Sequence, residues 1–278
     1  MTASTPELRS HALVIRRHIL RLIRAGRAGH VGGALSAADL AAALFFNVLR
    51  VRPGQPDWPD RDRFVLSAGH KSLLLYAALA ARGVIPEDLL DTYGRFGSAL
   101  PGHPDMHKLP GVEASTGALG HGLALAVGMA LGLRSSARPS RIFALMGDGE
   151  QAEGSIWEAA AAASHYRLAN LVGIVDCNGL QISGPTVEVM SYEPRPERWR
   201  AFGWAVRRID GHDLPLIVET LAAVPFHPGR PSLIVADTIK SRGIPFMEGK
   251  VEYHYWKPPA AELARAEREL EAAAGVVA

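Results

Sequence analysis

The chain alternates between segments with helical hydrophobic spacing and short runs of apolar residues. Residues 5–27 place apolar side chains on one face with arginines around them, which predicts an amphipathic helix with a solvated or interface face rather than a targeting peptide. Ser36 is expected to cap an alanine-rich helix that reaches about residue 49, and Pro86 to open a short helix. Further helices are predicted over 73–81, 119–133, 154–166, 197–202, 214–224 and 260–274, and strands over 64–67, 141–146, 171–176, 204–209 and 232–237.

Strands and helices alternate from residue 141 onward, which predicts an α/β fold with a parallel sheet and helices on both faces. No repeat, linker or break in composition divides the sequence, so residues 1–278 are expected to form one domain. Residues 94–118 are rich in Gly and Pro and have little periodicity. A loop of this length in a compact domain is usually functional.

Composition narrows the classes of protein. A chain of 278 residues with 48% hydrophobic residues can bury a full core, and it has no apolar run long enough to span a membrane. Its 30 Lys and Arg against 28 Asp and Glu give a net charge of +2, too balanced for a nucleic-acid-binding protein. One cysteine, Cys177, and no apolar leader segment favour a cytoplasmic protein.

Two predicted strands end in polar clusters. Gly147, Asp148 and Gly149 follow the first, and Asn178 follows the second, 30 residues after Asp148. One strand-helix-strand unit has this length, so Asp148 and Asn178 are expected side by side at one edge of the sheet. Carboxylate and amide oxygens suit Mg²⁺ or Ca²⁺, and the glycines let a diphosphate approach the backbone. Gly-Asp-Gly alone would be a turn, but the paired clusters favour a ligand site.

Histidines give a second signal, because five of the 11 follow a glycine directly: His30, His70, His103, His121 and His212. A single histidine is usually structural, whereas several on loops near a metal-diphosphate site are expected to carry protons or donate hydrogen bonds. The sequence has no GxxxxGK[ST] motif and no GxGxxG after the first strand, which argues against kinase-like and Rossmann folds.

These segments together resemble the N-terminal, diphosphate-binding part of the transketolases, from about residue 24 to residue 258. The matching stretches are AGHVGG, DRFVLSAGH, LPGHPD, EASTGALGHG, GDGEQAEG and DCNGLQISG. Gly-Asp-Gly followed about 30 residues later by Asn is the family's thiamine diphosphate signature. The FVLSAGH and PGHP stretches narrow the resemblance from thiamine enzymes in general to the transketolase branch.

The resemblance implies three groups of site residues. The divalent cation would be held by Asp148, Asn178 and the backbone carbonyl of Leu180. Thiamine diphosphate would be bound by His70, Gly117, Leu119, Gly147, Asp148, Gly149 and Asn178. The catalytic histidines near the donor sugar would be His30, His103 and His254. Glu153 and Glu158 resemble acidic residues that link two active sites in the family's dimer, or they are carboxylates favoured by a helix N-terminus.

The implied reaction transfers a two-carbon ketol unit from a ketose donor to an aldose or aldehyde acceptor. In this family a second domain supplies the glutamate that binds the aminopyrimidine, and the sequence shows no such domain. The chain is therefore expected to be the cofactor-binding subunit of a heterotetramer, active only with a C-terminal transketolase subunit, on sugar or sugar-phosphate substrates. The alternatives are the alpha subunit of a 2-oxoacid dehydrogenase and a non-catalytic thiamine diphosphate-binding domain. Tyr255 adds bulk after His254 where the family has glycine, which bears on substrate specificity.

Overall fold

The computed structural model describes residues 3–275. The five strands of its main sheet begin and end within one residue of the five predicted strands. The strands are β1 (Arg63–Leu66), β2 (Ile142–Gly147), β3 (Leu171–Cys177), β4 (Leu180–Gln181), β5 (Gly184–Pro185), β6 (Ala205–Asp210) and β7 (Ser232–Asp237). Over the described residues, one five-stranded sheet has the order β1-β2-β3-β7-β6, with every neighbouring pair parallel. Strands β4 and β5 form a separate antiparallel hairpin.

The helices connect and cover these strands. They are α1 (Thr5–Gly26), α2 (Val31–Ser36), α3 (Ala38–Ala43), α4 (Ser72–Ala81), α5 (His121–Ser135), α6 (Gly154–His165), α7 (Thr186–Val189), α8 (Arg195–Ala201), α9 (Leu214–Ala222) and α10 (Ala260–Gly275). A π-helical turn follows α3 over Leu44–Val48, and 3₁₀ turns occupy Gly69–Lys71, Glu87–Thr92, Gly149–Ala152 and Val251–Tyr253. No described helix is long and apolar enough to cross a membrane.

Two hydrophobic cores lie on opposite faces of the sheet. Helices α1 to α4 and α9 supply one core, and α5, α6 and α8 supply the other. Every residue of β2 and of β3 is buried, which explains why their sequences read as unbroken apolar runs. The predicted α/β fold with helices on both faces is confirmed.

The register aligns the carboxyl ends of the central strands. Gly147 at the end of β2 pairs with Asp176 in β3, and Cys177 at the end of β3 pairs with Asp237 in β7. Ligands of open parallel sheets bind beyond this edge. The polar clusters that follow β2 and β3 are therefore adjacent, as their spacing predicts.

The structure corrects the predicted helix over residues 36–49. That stretch is divided among the end of α2, α3 and the π-helical turn, and Ser36 is the last residue of α2 instead of a cap. The Ser36 hydroxyl lies 3.0 Å from the Gly33 carbonyl and 2.6 Å from Asp176 on β3, and it donates its one hydrogen to the closer carboxylate. The hydroxyl is thus used by the sheet edge, because α2 lies over the end of β3.

The expectation of a solvated arginine face on α1 needs correction. Arg16 of α1 is buried and forms a salt bridge with Asp39 of α3, so the arginine face of α1 is not wholly solvated. The C-terminal helix α10 buries Leu263, Ala266 and Leu270 in the core that α1 shares. An amphipathic pattern predicts a buried stripe, and the number of charges on a helix does not show which of them find internal partners.

Candidate functional site

Four histidines from separate segments converge beside the carboxyl edge of the sheet. The ring of His30 lies 5.2 Å from that of His70, 6.5 Å from that of His103 and 5.5 Å from that of His254, measured between centroids. The His70 and His254 rings are stacked at 5.6 Å. The structure therefore brings together all of the predicted catalytic histidines, and it adds His70 to them. We call these four residues the histidine cluster.

Close backbone contacts hold two of these loops together. Gly69 lies against the backbone of Thr116, and a Cβ on Gly69 would be 2.6 Å from the Thr116 carbonyl. Glycine is therefore required directly before His70, and the contact brings His70 next to the segment that contains Gly117. A Cβ on Gly117 would in turn meet the His103 ring at 3.5 Å, which places Gly117 at the rim of the histidine cluster.

Asp148 and Asn178 lie where β2 and β3 end. The Asp148 carboxylate accepts hydrogen bonds from the backbone N–H groups of Gly149 at 2.8 Å and Gly179 at 2.6 Å. The Asn178 amide nitrogen donates to Asp176 at 3.3 Å, and its amide oxygen accepts from the Leu180 N–H at 3.2 Å. These bonds fix the orientation of the Asn178 side chain and bring it to the same turn as Asp148.

A buried ion pair between Lys71 and Asp176 lies next to this turn. The Lys71 ammonium donates to Asp176 at 2.6 Å, and the side chains are 3% and 0% exposed, respectively. Burial alone would raise the pKa of Asp176, but Lys71, together with donors such as Ser36, lowers it. Asp176 is thereby held ionised, and it orients Asn178.

A second buried lysine joins the histidine cluster to the turn after β3. The Lys240 ammonium donates to the Leu180 carbonyl at 3.2 Å and to His254 Nδ1 at 3.1 Å. An ammonium can only donate, so Nδ1 of His254 is the acceptor and its ring proton lies on Nε2. The Leu180 carbonyl, a predicted metal ligand, and His254, a predicted catalytic residue, thus both accept hydrogen bonds from the Lys240 ammonium.

Burial keeps three residues of the histidine cluster, His30, His70 and His254, uncharged at neutral pH. Burial and the neighbouring Lys71 lower the pKa of His70 to about 2, and burial and Lys240 lower the pKa of His254 to about 3. Burial also lowers the pKa of His30, with His103 and Lys240 acting in the same direction. Neutral imidazoles offer one donor and one acceptor each, which suits groups that exchange protons and bind hydroxyls.

Glu150 organises the loop that contains Gly117 and Leu119. Its buried carboxylate accepts from the Ser67 hydroxyl at 2.5 Å and from the Gly120 N–H and the Gly147 N–H, each at 2.9 Å. It thereby connects the ends of β1 and β2 to the start of α5. Burial raises the pKa of Glu150, and the three donors oppose that shift.

The two glycines around Asp148 have different surroundings. A Cβ on Gly149 would be 3.0 Å from Cβ of Gln181, so close packing of the hairpin favours glycine there. A Cβ on Gly147 would meet its nearest neighbours, including the Lys71 ammonium, only at 3.8 Å. These distances are ordinary van der Waals contacts, so close packing does not require glycine at position 147, which lies near a buried cation.

The donor set around Asp148 fits a hard divalent cation. Asp148 is 4% exposed, and within residues 3–275 it has no salt-bridge partner. Burial and the nearby Asp176 raise its pKa, so a metal ion would compensate a carboxylate that is otherwise disfavoured. The Leu180 carbonyl has a second lone pair beside the one that accepts from Lys240. Among the described residues no cluster of three or more His, Cys, Asp or Glu side chains exists, and this mixed oxygen set does not need one.

Several residues of this site carried no signal in the sequence. All of them are buried: Lys240, Asp176, Glu150 and Ser36 bond predicted site residues directly, and Lys71 bonds Asp176. Lys71 directly follows Gly69-His70, and burial of a lysine there becomes visible only once β3 places Asp176 opposite it. His121 and His212, which also follow glycines, lie outside the histidine cluster: His121 is exposed at the start of α5, and His212 bonds Asp39.

Tyr255 lies at the mouth of the histidine cluster. Its ring packs edge-on against His30 with centroids 4.9 Å apart, and the side chain is 52% exposed. The bulk predicted at this position is therefore directed at His30, so Tyr255 narrows the space beside that ring.

A family model described as transketolase, thiamine diphosphate binding domain, matches residues 9–272. The chain is 43% identical to one of the subunits of the apulose-4-phosphate transketolase of Phocaeicola vulgatus, over 97% of this chain and 95% of that protein. It is 44% identical to 6-deoxy-6-sulfo-D-fructose transketolase subunit SqwG of a Clostridium species, over 95% of this chain and 98% of that protein.

Solved transketolases share the fold. The structure from Leishmania mexicana superposes with a TM-score of 0.90 at 31% identity, covering 98% of this chain and 42% of that one. The transketolase from Campylobacter jejuni gives a TM-score of 0.90, covering 97% of this chain and 43% of that one. The chain thus spans about two fifths of these longer enzymes. The comparisons confirm the resemblance and the enzyme class expected from the motifs, and they support it over a 2-oxoacid dehydrogenase subunit.

Proposed function

Because this chain belongs to the transketolase family through its thiamine diphosphate-binding domain, we propose that it is the cofactor-binding subunit of a two-chain transketolase. The reaction transfers a two-carbon ketol unit from a ketose to an aldose or aldehyde. Bound thiamine diphosphate supplies the electron sink for breaking and forming the carbon-carbon bond. We take residues 1–278 as one domain, a proposal supported by the packing of both cores on a single sheet over residues 3–275.

The observation that carries this proposal is the position of Lys240. Its ammonium donates to both the Leu180 carbonyl and His254, which supports a single site that combines the proposed metal ligands with the proposed substrate-facing histidines. A non-catalytic cofactor-binding domain would need the first part only. The converging rings of the histidine cluster have no role in such a domain.

The proposed roles follow from the chemistry of each group. His30, His103 and His254 face the donor sugar, where they bind hydroxyls and take up the proton released as the carbon-carbon bond breaks. His70 stacks on His254 and contributes a hydrogen bond to the cofactor. Gly117, Leu119, Gly147 and Gly149 give the cofactor access to backbone groups. Asp148, Asn178 and the Leu180 carbonyl hold Mg²⁺ or Ca²⁺, which clamps the diphosphate.

The metal assignment is tested by replacing Asp148. Asp148→Ala removes the one charged ligand of the set, so Mg²⁺-dependent binding of thiamine diphosphate should be lost in calorimetry of the assembled complex. Asp57→Ala is the control, because this exposed carboxylate lies in the loop before β1 and makes no hydrogen bond or salt bridge within the described residues. Unchanged affinity in the Asp148 variant would refute the assignment.

Exposed apolar side chains support a partner subunit. Ile182, Val187 and Met190, in the hairpin and in the segment that follows it, are 69%, 63% and 55% exposed, respectively, although they come directly after the Asn178 turn. Apolar groups left in water beside a site mark an association surface. We propose that a C-terminal transketolase subunit covers them and supplies the glutamate for the aminopyrimidine. Glu153 and Glu158 are exposed and available to a second copy, which gives a heterotetramer.

Reconstitution tests the subunit role. The purified chain alone should show no ketol transfer, and activity should appear when a separately produced C-terminal transketolase subunit is added. Donors should be anionic ketoses, as the names of the relatives suggest, so apulose 4-phosphate and 6-deoxy-6-sulfo-D-fructose are assayed beside fructose 6-phosphate. Robust turnover by the single chain would refute the two-chain proposal.

We place the enzyme in the cytoplasm, because its one cysteine is a buried free thiol.

A further inference from the structure

His212 lies outside the histidine cluster, but it contacts the segment that carries Lys240. It follows β6 at the same edge of the sheet, and its ring is sandwiched between two hydrogen-bonding groups. Nδ1 is 2.7 Å from an Asp39 carboxylate oxygen, and Nε2 is 2.9 Å from the backbone nitrogen of Ile239. The side chains of His212 and Asp39 are 12% and 11% exposed, respectively.

These two contacts determine the tautomer of His212. The Ile239 nitrogen is a backbone N–H and can only donate, so Nε2 must be the acceptor. The ring proton therefore lies on Nδ1, from which it is donated to Asp39. Burial alone would raise the pKa of Asp39, but the Arg16 guanidinium, bonded to both carboxylate oxygens at 2.9 and 2.7 Å, and His212 hold it well below its usual range. Asp39 is thus a fixed acceptor for His212.

Ile239 is flanked by residues that bond into the proposed cofactor site. Thr238 donates to Asp176, and Lys240 donates to the Leu180 carbonyl and to His254. The Ile239 side chain is exposed, and the backbone of Ile239 makes two hydrogen bonds: its N–H donates to His212, and its carbonyl accepts from the Arg242 N–H at 3.2 Å. Losing that acceptor would leave a backbone N–H unpaired, and an unpaired N–H moves toward water because an unmet hydrogen bond is costly.

We propose that His212, held in one tautomer by Asp39, is a positioning residue that fixes residues 238–240 and so presents Lys240 to His254 and to the turn after β3. This proposal rests on the proposed function only for the test that measures turnover, because the other test needs no enzyme activity. His212 itself touches neither the histidine cluster nor the predicted metal ligands. Displacements of about 1 Å in a supporting residue can lower turnover by about 10²-fold, because the reacting groups are no longer aligned.

The first test measures the tautomer of His212 and the hydrogen exchange of its neighbours in the chain without any cofactor. Nitrogen NMR of the ¹⁵N-histidine-labelled full chain should show His212 with a protonated Nδ1 and an unprotonated Nε2, the less common tautomer. Hydrogen exchange at the amides of residues 238–241 should be faster in His212→Leu than in the wild type. A protonated Nε2 in the wild type, or unchanged exchange in the variant, would overturn the proposal. Neither readout depends on the reaction.

The second test uses the reconstituted enzyme. His212→Leu should lower kcat at least about 10-fold with a smaller change in the KM of the donor, because Lys240 and His254 are misplaced while the other histidines remain. His212→Gln keeps an acceptor within reach of the Ile239 N–H and should recover most of the loss. His227→Leu, in an exposed loop between α9 and β7, is the control and should match the wild type. A Gln variant as slow as the Leu variant would contradict positioning by the Ile239 bond. Absence of ketol transfer in the wild-type complex would instead refute the proposed function and leave the NMR and exchange results to decide the role of His212.

Discussion

Replacement of Lys71 by methionine tests the buried charge pair under the proposed site. The Lys71 ammonium is 2.6 Å from Asp176, and both side chains are almost fully buried. Methionine fills a similar volume but leaves the Asp176 carboxylate without its cation. Removing one member of a buried ion pair typically costs about 3–5 kcal/mol, because the remaining charge stays desolvated.

The expected loss lies near the lower end of that range. Asp176 keeps hydrogen bonds from Ser36, Thr238 and Asn178, so its oxygens are not left without donors. We therefore expect Lys71→Met to lower the free energy of unfolding by about 3 kcal/mol. With a urea m-value of about 3 kcal/mol/M for a chain of this size, the midpoint should move by about 1 M.

Urea unfolding followed by circular dichroism measures this shift, and Lys257→Met is the control because Lys257 is exposed beside the same site. The double variant Lys71→Met, Asp176→Asn should be more stable than Lys71→Met alone, since the uncompensated charge is gone. The deficit of Lys71→Met should also narrow as the pH falls and the stranded carboxyl takes up a proton. A loss below about 1 kcal/mol, or no recovery in the double variant, would refute the reasoning.

Three further predictions concern the histidine cluster and the packing of α5. His254→Ala should lower the turnover of the reconstituted enzyme by about 10²-fold or more with little change in cofactor affinity by calorimetry, and intact turnover would make His254 structural. Gly122→Ala should destabilise the chain by about 1–3 kcal/mol in urea, because the added Cβ would lie 2.4 Å from Cα of Ser67. Gly128→Ala on the same helix, whose Cβ would meet no described atom within 4 Å, should instead stabilise it by about 0.5–1 kcal/mol. Burial lowers the pKa of His70 to about 2 in the folded state, against about 6.5 in the unfolded state, so the unfolded state binds more protons between these values. As the pH is lowered from about 6.5, the free energy of unfolding should therefore decrease by up to about 1.4 kcal/mol per pH unit. His70→Gln should reduce that slope, and an unchanged slope would show that His70 does not titrate in this way.

The fold was predictable because its signals are local. Unbroken apolar runs predicted β2 and β3, and the alternation of strands with helices predicted a parallel sheet whose carboxyl edge carries Asp148 and Asn178. Helix boundaries were less predictable: the break between α2 and α3 lies within an alanine-rich stretch that has no glycine or proline to mark it. Its position follows from packing, since Ser36 at the end of α2 bonds Asp176.

The site was predictable only in part, for a related reason. Motif residues such as His30 and Asp148 stand in recognisable local patterns, whereas Lys71 and Lys240 gain meaning from partners 105 and 60 residues away, respectively. A lysine in a sequence is expected at the surface, because burial of its charge is costly. Only the fold shows that Asp176 and the Leu180 carbonyl meet these two ammonium groups. Long-range pairing of this kind leaves no pattern in a single sequence.

The pKa shifts at the sheet edge act in opposite directions on opposite charges. Burial and Asp176 disfavour the ionised form of Asp148, and burial and Lys71 lower the pKa of Lys240 to about 8, which disfavours its ammonium. A neutral ligand would relieve neither group. A divalent cation bound to a polyanion would relieve both, because the cation stabilises the carboxylate while the anion stabilises the ammonium. The electrostatics of this edge therefore support the proposed metal diphosphate over an uncharged ligand, and the neutral rings of His30 and His254 are the groups that we propose for the sugar hydroxyls.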